Sequence, residues 1–352
     1  MAEQLTNEQI SGKILADYDK YKITVDFLTA WKYYLINKLS GHGTIYLGRE
    51  LQDSSSNVCR PDLVSEKANL AMVCEVKGGM PRNMDYFIKR DMTQLKSFDN
   101  ISLGWSSQTI TNKEISLFTL SKFQKSLMDF LKTSTTDFKT FSFTPSTDQE
   151  NHEEVRISFE NNFLIWFFSI DESGSAPCFN IFKAVGDSVD AELNSKSKEN
   201  ILIPLQDILQ NLSDFRFYDA PPPDLYLLEV LWSHLINILF EQQQYVAKNM
   251  SGLRVLTLNV SVDDILAKVN GFFITDLDSF RGTKSIRKKM IERFVDLLCK
   301  LEMASKDGDK YNIFYKTVPN AKKYFLDELT NYALKKGLPT GEQMEMTEYL
   351  SS

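Results

Sequence analysis

Apolar residues first recur at helical spacing over residues 10–39. Val25, Leu28, Leu35 and Leu39 repeat there with Trp31 and Tyr34 between them, and Gly41 and Gly43 end the run. The period then changes. Thr44–Leu47 reads as a short strand and Ser54–Asn57 as a polar turn. Asp62–Val64 and Leu70–Val76 read as two antiparallel strands joined by a Ser65–Asn69 turn, with Gly78, Gly79 and Pro81 breaking the second. Helical character returns over residues 84–98, followed by a strand at Glu114–Leu120 and a helix at Lys122–Lys132. The predicted order is therefore α-β-β-β-α-β-α. Beyond a polar stretch at 144–154, Ile157–Ile170 and Cys178–Val185 read as further strands, Trp166, Phe167 and Phe168 being sheet core. Residues 186–200 are polar again.

Pro221, Pro222 and Pro223 are the clearest punctuation in the chain, because consecutive prolines cannot continue a helix. A helix is expected over Leu225–Gln243, and a helix from Val262 opens a smaller unit. There a second helix, Ser285–Lys300, leads into a hairpin with Leu301–Ala304 and Tyr311–Tyr315 as strands around Asp307-Gly308. A last helix is expected over Ala321–Lys336. These breaks divide the chain into a first domain over residues 1–200, a linker and connecting helix over 201–254, and a C-terminal domain over 255–340.

Composition narrows the chemistry. The 352 residues carry a net charge of −7, so any affinity for nucleic acid must come from a local basic surface. Such a surface exists in sequence: residues 281–325 hold twelve Lys/Arg against five Asp/Glu. Four scattered cysteines and three histidines argue against a disulfide framework or a zinc centre. No apolar run approaches the length needed to span a bilayer, and residues 1–9 are not a basic-then-apolar leader, so a cytoplasmic protein without a membrane partner is expected. No phosphate-cradling Gly-x-x-x-x-Gly-Lys loop is present. His42 reads as a loop residue and His234 as a packed or capping one.

The densest chemistry lies at residues 61–77. Pro61-Asp62 is followed by twelve residues and then Glu75-Val76-Lys77. Strand alternation puts Glu75 and Lys77 on one face and Cys74 and Val76 on the other. Two carboxylates and an amine brought together in this way suit a hard divalent cation and a water at one phosphate, since Mg²⁺ takes one or two carboxylates and keeps positions for water and substrate. The Val76 carbonyl is a candidate third ligand. Two half-matches elsewhere act as controls. Asp137-Phe138-Lys139 lacks a Pro-Asp upstream at the right distance, and Pro223-Asp224 lacks an acidic-x-Lys downstream.

Residues 61–77 resemble the motif of the PD-(D/E)XK nuclease superfamily, and the α-β-β-β-α-β order over residues 10–132 extends the likeness. The resemblance implies a restriction-endonuclease-like mixed sheet flanked by helices, and a Mg²⁺- or Mn²⁺-dependent endonuclease. Asp62 and Glu75 would be metal ligands and Lys77 the catalytic lysine. It also implies an acidic residue before the motif, for which Glu50 is the candidate and Asp26 the second. A Gln on the following helix is also implied, at the place where Gln94 stands. The basic helix and hairpin resemble a winged-helix module, implying DNA contacts from Lys284, Arg287, Lys288, Lys289, Lys306 and Lys310. DNA is then the expected partner, with a homodimer if both strands are cut. The competing expectation is a non-catalytic winged-helix DNA-binding regulator on a degenerate nuclease fold.

Overall fold

The computed structural model describes residues 6–48, 51–79, 87–101, 110–135, 137, 139–143, 155–173, 176–209, 221–241, 245–250, 253–273, 288–314 and 318–336. The chain forms two compact units: one comprises Ile23–Asp219 with Asp276–Thr283, the other Met1–Lys22, Ala220–Thr275 and Lys284–Ser352.

The first unit is built on a seven-stranded mixed sheet. Helix α1 (Asn7–Lys38) precedes β1 (Thr44–Leu47), and a small ribbon of β2 (Leu51–Gln52) and β3 (Val58–Cys59) leads to β4 (Leu63–Lys67) and β5 (Leu70–Lys77). A π-helical stretch, Phe87–Met92, runs directly into α2 (Thr93–Asp99), which precedes β6 (Asn112–Leu120) and α3 (Gln124–Ser134). The ribbon β7 (Thr140–Phe143) with β8 (Val155–Ser158) follows. The unit closes with β9 (Asn162–Asp171), β10 (Cys178–Val185), α4 (Ala191–Lys196), β11 (Ile201–Pro204) and α5 (Leu205–Leu209). The strand order is β1-β4-β5-β6-β9-β10-β11. β1–β4 and β4–β5 are antiparallel, while β5–β6 and β6–β9 are parallel.

Alternation along the central strands explains both layers of the core. Ser116 and Phe118 on β6, with Trp166 and Phe168 on β9, face the side where Phe27 and Trp31 of α1 pack. Phe27 stacks 4.1 Å from Phe168, and Trp31 lies 4.9 Å from Phe118. Ile115 and Leu117, with Ile165 and Phe167, face the other side, in one apolar cluster with Phe87, Met92, Leu95, Leu127 and Leu131. A strand covered on both faces reads as a nearly continuous apolar run, as β5 and β9 do. The stack at Trp166–Phe168 is thus wholly buried sheet core.

Two expectations need correction. The β4–β5 turn is tighter than Ser65–Asn69, because Lys67 pairs with Leu70 and Ala68 takes φ 50°. The strand expected over Ile157–Ile170 is broken: Asp99 draws in the Glu160 and Asn161 N–H groups at 2.8 and 3.0 Å, so β8 leaves to pair with β7. The polar stretch after residue 186 contains α4, whose first turn is capped by Asp190. Gly186, at φ +80°, starts that segment where an added Cβ would stand 2.4 Å from the Phe163 carbonyl oxygen.

The second unit contains α6 (Asp224–Glu241), β12 (Tyr245–Met250), β13 (Leu253–Ser261), α7 (Val262–Phe273), α8 (Lys288–Lys300), β14 (Ala304–Asp307), β15 (Lys310–Phe314) and α9 (Ala321–Lys336). The start of α1 packs here, with Tyr21 4.8 Å from Tyr226. Its sheet runs β12-β13-β15-β14. The hairpin expected around Asp307-Gly308 forms, but its first strand begins at Ala304, since Glu302 turns the chain at φ 58°. The two-residue turn is Gly308-Asp309, with Gly308 at φ 66°. Strands β12 and β13 were not anticipated as an extension of that hairpin.

Candidate functional site

Asp62, Glu75 and Lys77 come together where β4 begins and β5 ends. Leu63 pairs with Cys74, so Asp62 stands at the next position of the ladder beside Glu75. The Val76 N–H donates to Asp62 Oδ2 at 2.7 Å. Carboxylate and strand are thereby locked together, and both acidic residues are buried. Glu75 and Lys77 share the face of β5 that carries Val73, and Val73 belongs to the cluster beneath α2. The two charged residues thus emerge at the edge of that apolar layer.

Lys77 is the hub. Its Nζ lies 2.8 Å from Glu75 Oε1, 3.1 Å from Gln94 Oε1 and 3.2 Å from Asp91 Oδ1. Three oxygens thus surround an ammonium that has three protons to donate. Burial alone would lower the amine's pKa. Glu75 and then Asp91 outweigh that effect and hold it above the usual lysine range, so Lys77 is a cation at neutral pH. Glu75 Oε2, by contrast, is buried and accepts no hydrogen bond among the described residues.

Gln94, the second residue of α2, thus shares the Lys77 ammonium with Glu75. Asp91 was missed. It sits on the π-helical stretch three residues before Gln94 and joins the same ammonium. A single π-helical turn inside a helix often marks a functional position. The available signal was the i, i+3 spacing of Asp91 and Gln94, which puts both on one side of a helix. Glu50 lies outside the described residues, and Asp26 lies on α1.

A second buried polar group involves His42, which lies, as expected, in the loop between α1 and β1. His42 Nδ1 is 2.7 Å from Ser65 Oγ, and Nε2 is 3.0 Å from Asp190 Oδ2. Lys67 Nζ also reaches Asp190, at 2.8 Å. Burial lowers the His42 pKa, although Asp190 opposes the effect. Nearby, Glu114 on β6 accepts the Val189 N–H at 2.8 Å, and its burial pushes it up to about 7. With Ser65 and His42 both buried, this group ties the loop before β1, β4 and β6 to the segment capped by Asp190.

In the second unit Lys288, Lys289, Lys306 and Lys310 are exposed, as a nucleic-acid surface requires. Lys288 is already paired with Asp263 at 2.9 Å. Lys306 lies 5.9 Å from the Tyr311 ring centroid. Lys284 and Arg287 lie outside the described residues, as does the side chain of His234.

Among the described residues no group of three or more His, Cys, Asp or Glu is placed to hold a metal ion. Among them, too, no helix is long and apolar enough to cross a membrane. Comparison of the chain with protein families, curated proteins and solved structures finds no match.

Proposed function

We propose that the first unit is a metal-dependent DNA endonuclease of the restriction-endonuclease-like type, and that the second is a winged-helix-like module that holds DNA. The observation that carries this reading is the convergence of Asp62, Glu75, Lys77 and Gln94 on one point at the end of β5. Residues separated by up to 32 positions in sequence meet there, in the combination the motif requires. The order β1-β4-β5-β6, with α1 before it and α2 between β5 and β6, supports the same core. For the second unit, the support is the sequence α6-β12-β13-α7-α8-β14-β15 with β15 lying between β13 and β14.

The residues present fit a hard divalent cation. Asp62 and Glu75 supply carboxylate oxygens, Val76 follows Glu75 in the chain, and the buried Glu75 Oε2 has no hydrogen-bond partner among the described residues. A bound Mg²⁺ or Mn²⁺ supplies Lewis-acid polarisation of a phosphate and a more acidic water. The chain's own residues do the rest. Asp62 is oriented by the Val76 N–H. Lys77 offers a fixed positive charge to a phosphate whose charge rises in the transition state. One site cuts one strand, so cleavage of both strands calls for two copies of the chain.

The test is cleavage of duplex, branched and single-stranded DNA with Mg²⁺ or Mn²⁺. Asp62→Ala, Glu75→Ala and Lys77→Ala are each expected to lose about 100-fold or more in rate. Chelation should stop the wild type and added Mg²⁺ restore it. Rates equal to wild type in the three variants would remove the site. Salt-sensitive DNA binding without any cleavage would instead leave the non-catalytic regulator.

A further inference from the structure

The hold on Lys77 is asymmetric. Its ammonium meets Glu75 at Oε1, while Glu75 Oε2 is buried without a hydrogen-bond partner among the described residues. A lysine beside an otherwise unshared carboxylate is free to swing across both oxygens and neutralise the group. Here it is restrained from the opposite side. Gln94 Oε1 accepts a hydrogen bond from it at 3.1 Å and Asp91 Oδ1 forms an ion pair with it at 3.2 Å, both from the helical segment above β5. Asp91 is itself buried, so its charge acts through little intervening water.

We propose that Asp91 is a positioning residue: it draws the Lys77 ammonium to one side of Glu75 and so leaves the second Glu75 oxygen available to a divalent cation. This rests on the nuclease reading of the site and adds to it a residue that no motif assigns. Asp91 does not touch the cation in this scheme. It acts through Lys77, as an outer partner that orients an inner ligand. Its placement on the π-helical stretch gives the wider turn a purpose, since Asp91 and Gln94 both reach the same nitrogen.

The experiment is Mn²⁺ binding to the full chain by titration calorimetry, with Mn²⁺ alone as the probe, on wild type, Asp91→Asn, Lys77→Met and the double variant. Asp91→Asn should weaken Mn²⁺ about 10-fold, the scale seen when an outer partner of a metal ligand is removed. In the Lys77→Met background the same change should weaken it less than about 2-fold, because the group through which Asp91 acts is gone. Unaltered binding in Asp91→Asn overturns the proposal. So does an equal loss with and without Lys77, which would mean that Asp91 acts on the cation directly or only on the fold. Should Asp91→Asn fail to fold, Asp91→Glu carries the same cycle, since it keeps the charge and moves it by one methylene. Coupling to Lys77 is expected there too, and strict additivity overturns the idea. A wild type that binds no Mn²⁺ removes the cation site and the nuclease reading together. A wild type that binds Mn²⁺ and cuts DNA, beside an Asp91→Asn that does both equally well, removes the role of Asp91 alone.

Discussion

Two lysine–aspartate pairs in this chain have nearly the same geometry and different consequences. Lys77 and Asp91 are 3.2 Å apart in the first unit, and Lys288 and Asp263 are 2.9 Å apart in the second. The side chain of Lys77 is 16 % exposed and that of Asp91 7 %, against 53 % and 72 % for Lys288 and Asp263. Burial removes the water that would otherwise screen and replace the partner, so the inner pair is rigid and costly to break. The outer pair is easily exchanged for solvent or a phosphate. The difference suits the two roles proposed for the units. A cation site needs charges fixed before the ligand arrives. A surface that tracks a phosphate backbone needs charges that can let go of their internal partners.

The largest effect should come from the inner network. Lys77→Met strands Glu75 and Asp91 without their common cation, and is expected to lower stability by about 3 kcal/mol in urea unfolding. A loss near zero would mean that the two carboxylates relax into water, and would undo the contrast. Lys288→Met should melt with the wild type within error.

Comparable in size, but dependent on pH, is the effect of Glu114. Burial first, and Asp190 in addition, raises its pKa from 4.5 to about 7, against the hydrogen bonds from Ser188 and Val189 and the charge of Lys183. The folded state thus holds this proton more tightly than the unfolded chain. The stabilisation is complete below about pH 4.5 and is lost as pH rises through 7, a difference of about 3 kcal/mol. Glu114→Gln should therefore gain on the wild type across that window, as followed by unfolding at pH 4.5, 6 and 8. Parallel curves would show that Glu114 is not buried as described.

A smaller effect is expected from the exposed lysines. Changing Lys288, Lys289, Lys306 and Lys310 to Gln together should weaken DNA binding and flatten its dependence on salt by up to about four counterions, with little change in melting temperature. An unchanged salt slope would take the second unit out of DNA binding. The smallest effect should follow from Asp263→Asn. It frees Lys288 and should leave DNA affinity unchanged or slightly raised; a clear fall would mean that the Lys288–Asp263 pair orders the surface.

Much of the first unit could be read from period alone. The helical repeat of α1 and the apolar runs of β5 and β6 survive in the fold, because α1 buries its apolar side against the sheet and both strands are covered on two faces. Asp62, Glu75, Lys77 and Gln94 were likewise legible, being near enough in sequence for strand and helix geometry to bring them together. Asp91 was not, since its role depends on how a helix segment sits above a strand. The break at residues 159–161 was hidden because the group that causes it, Asp99, is about 60 residues away. His42 does lie in the loop before β1, but its burial was hidden for a similar reason. Its partners, Ser65 and Asp190, are 23 and 148 positions distant, and only sheet pairing collects them.

The sequence by itself determined most of the helices and central strands, which faces are apolar, and that one acidic–basic motif stands complete where two others are half-formed. These follow from local sterics and from the cost of exposing apolar surface, which act over a few residues. The tertiary structure alone decided that Lys77 has three partners instead of one, that Glu75 keeps a buried oxygen without a partner, and that Glu114 is held near neutrality. Those depend on burial and on the distance between charges, and both are set only when distant segments pack.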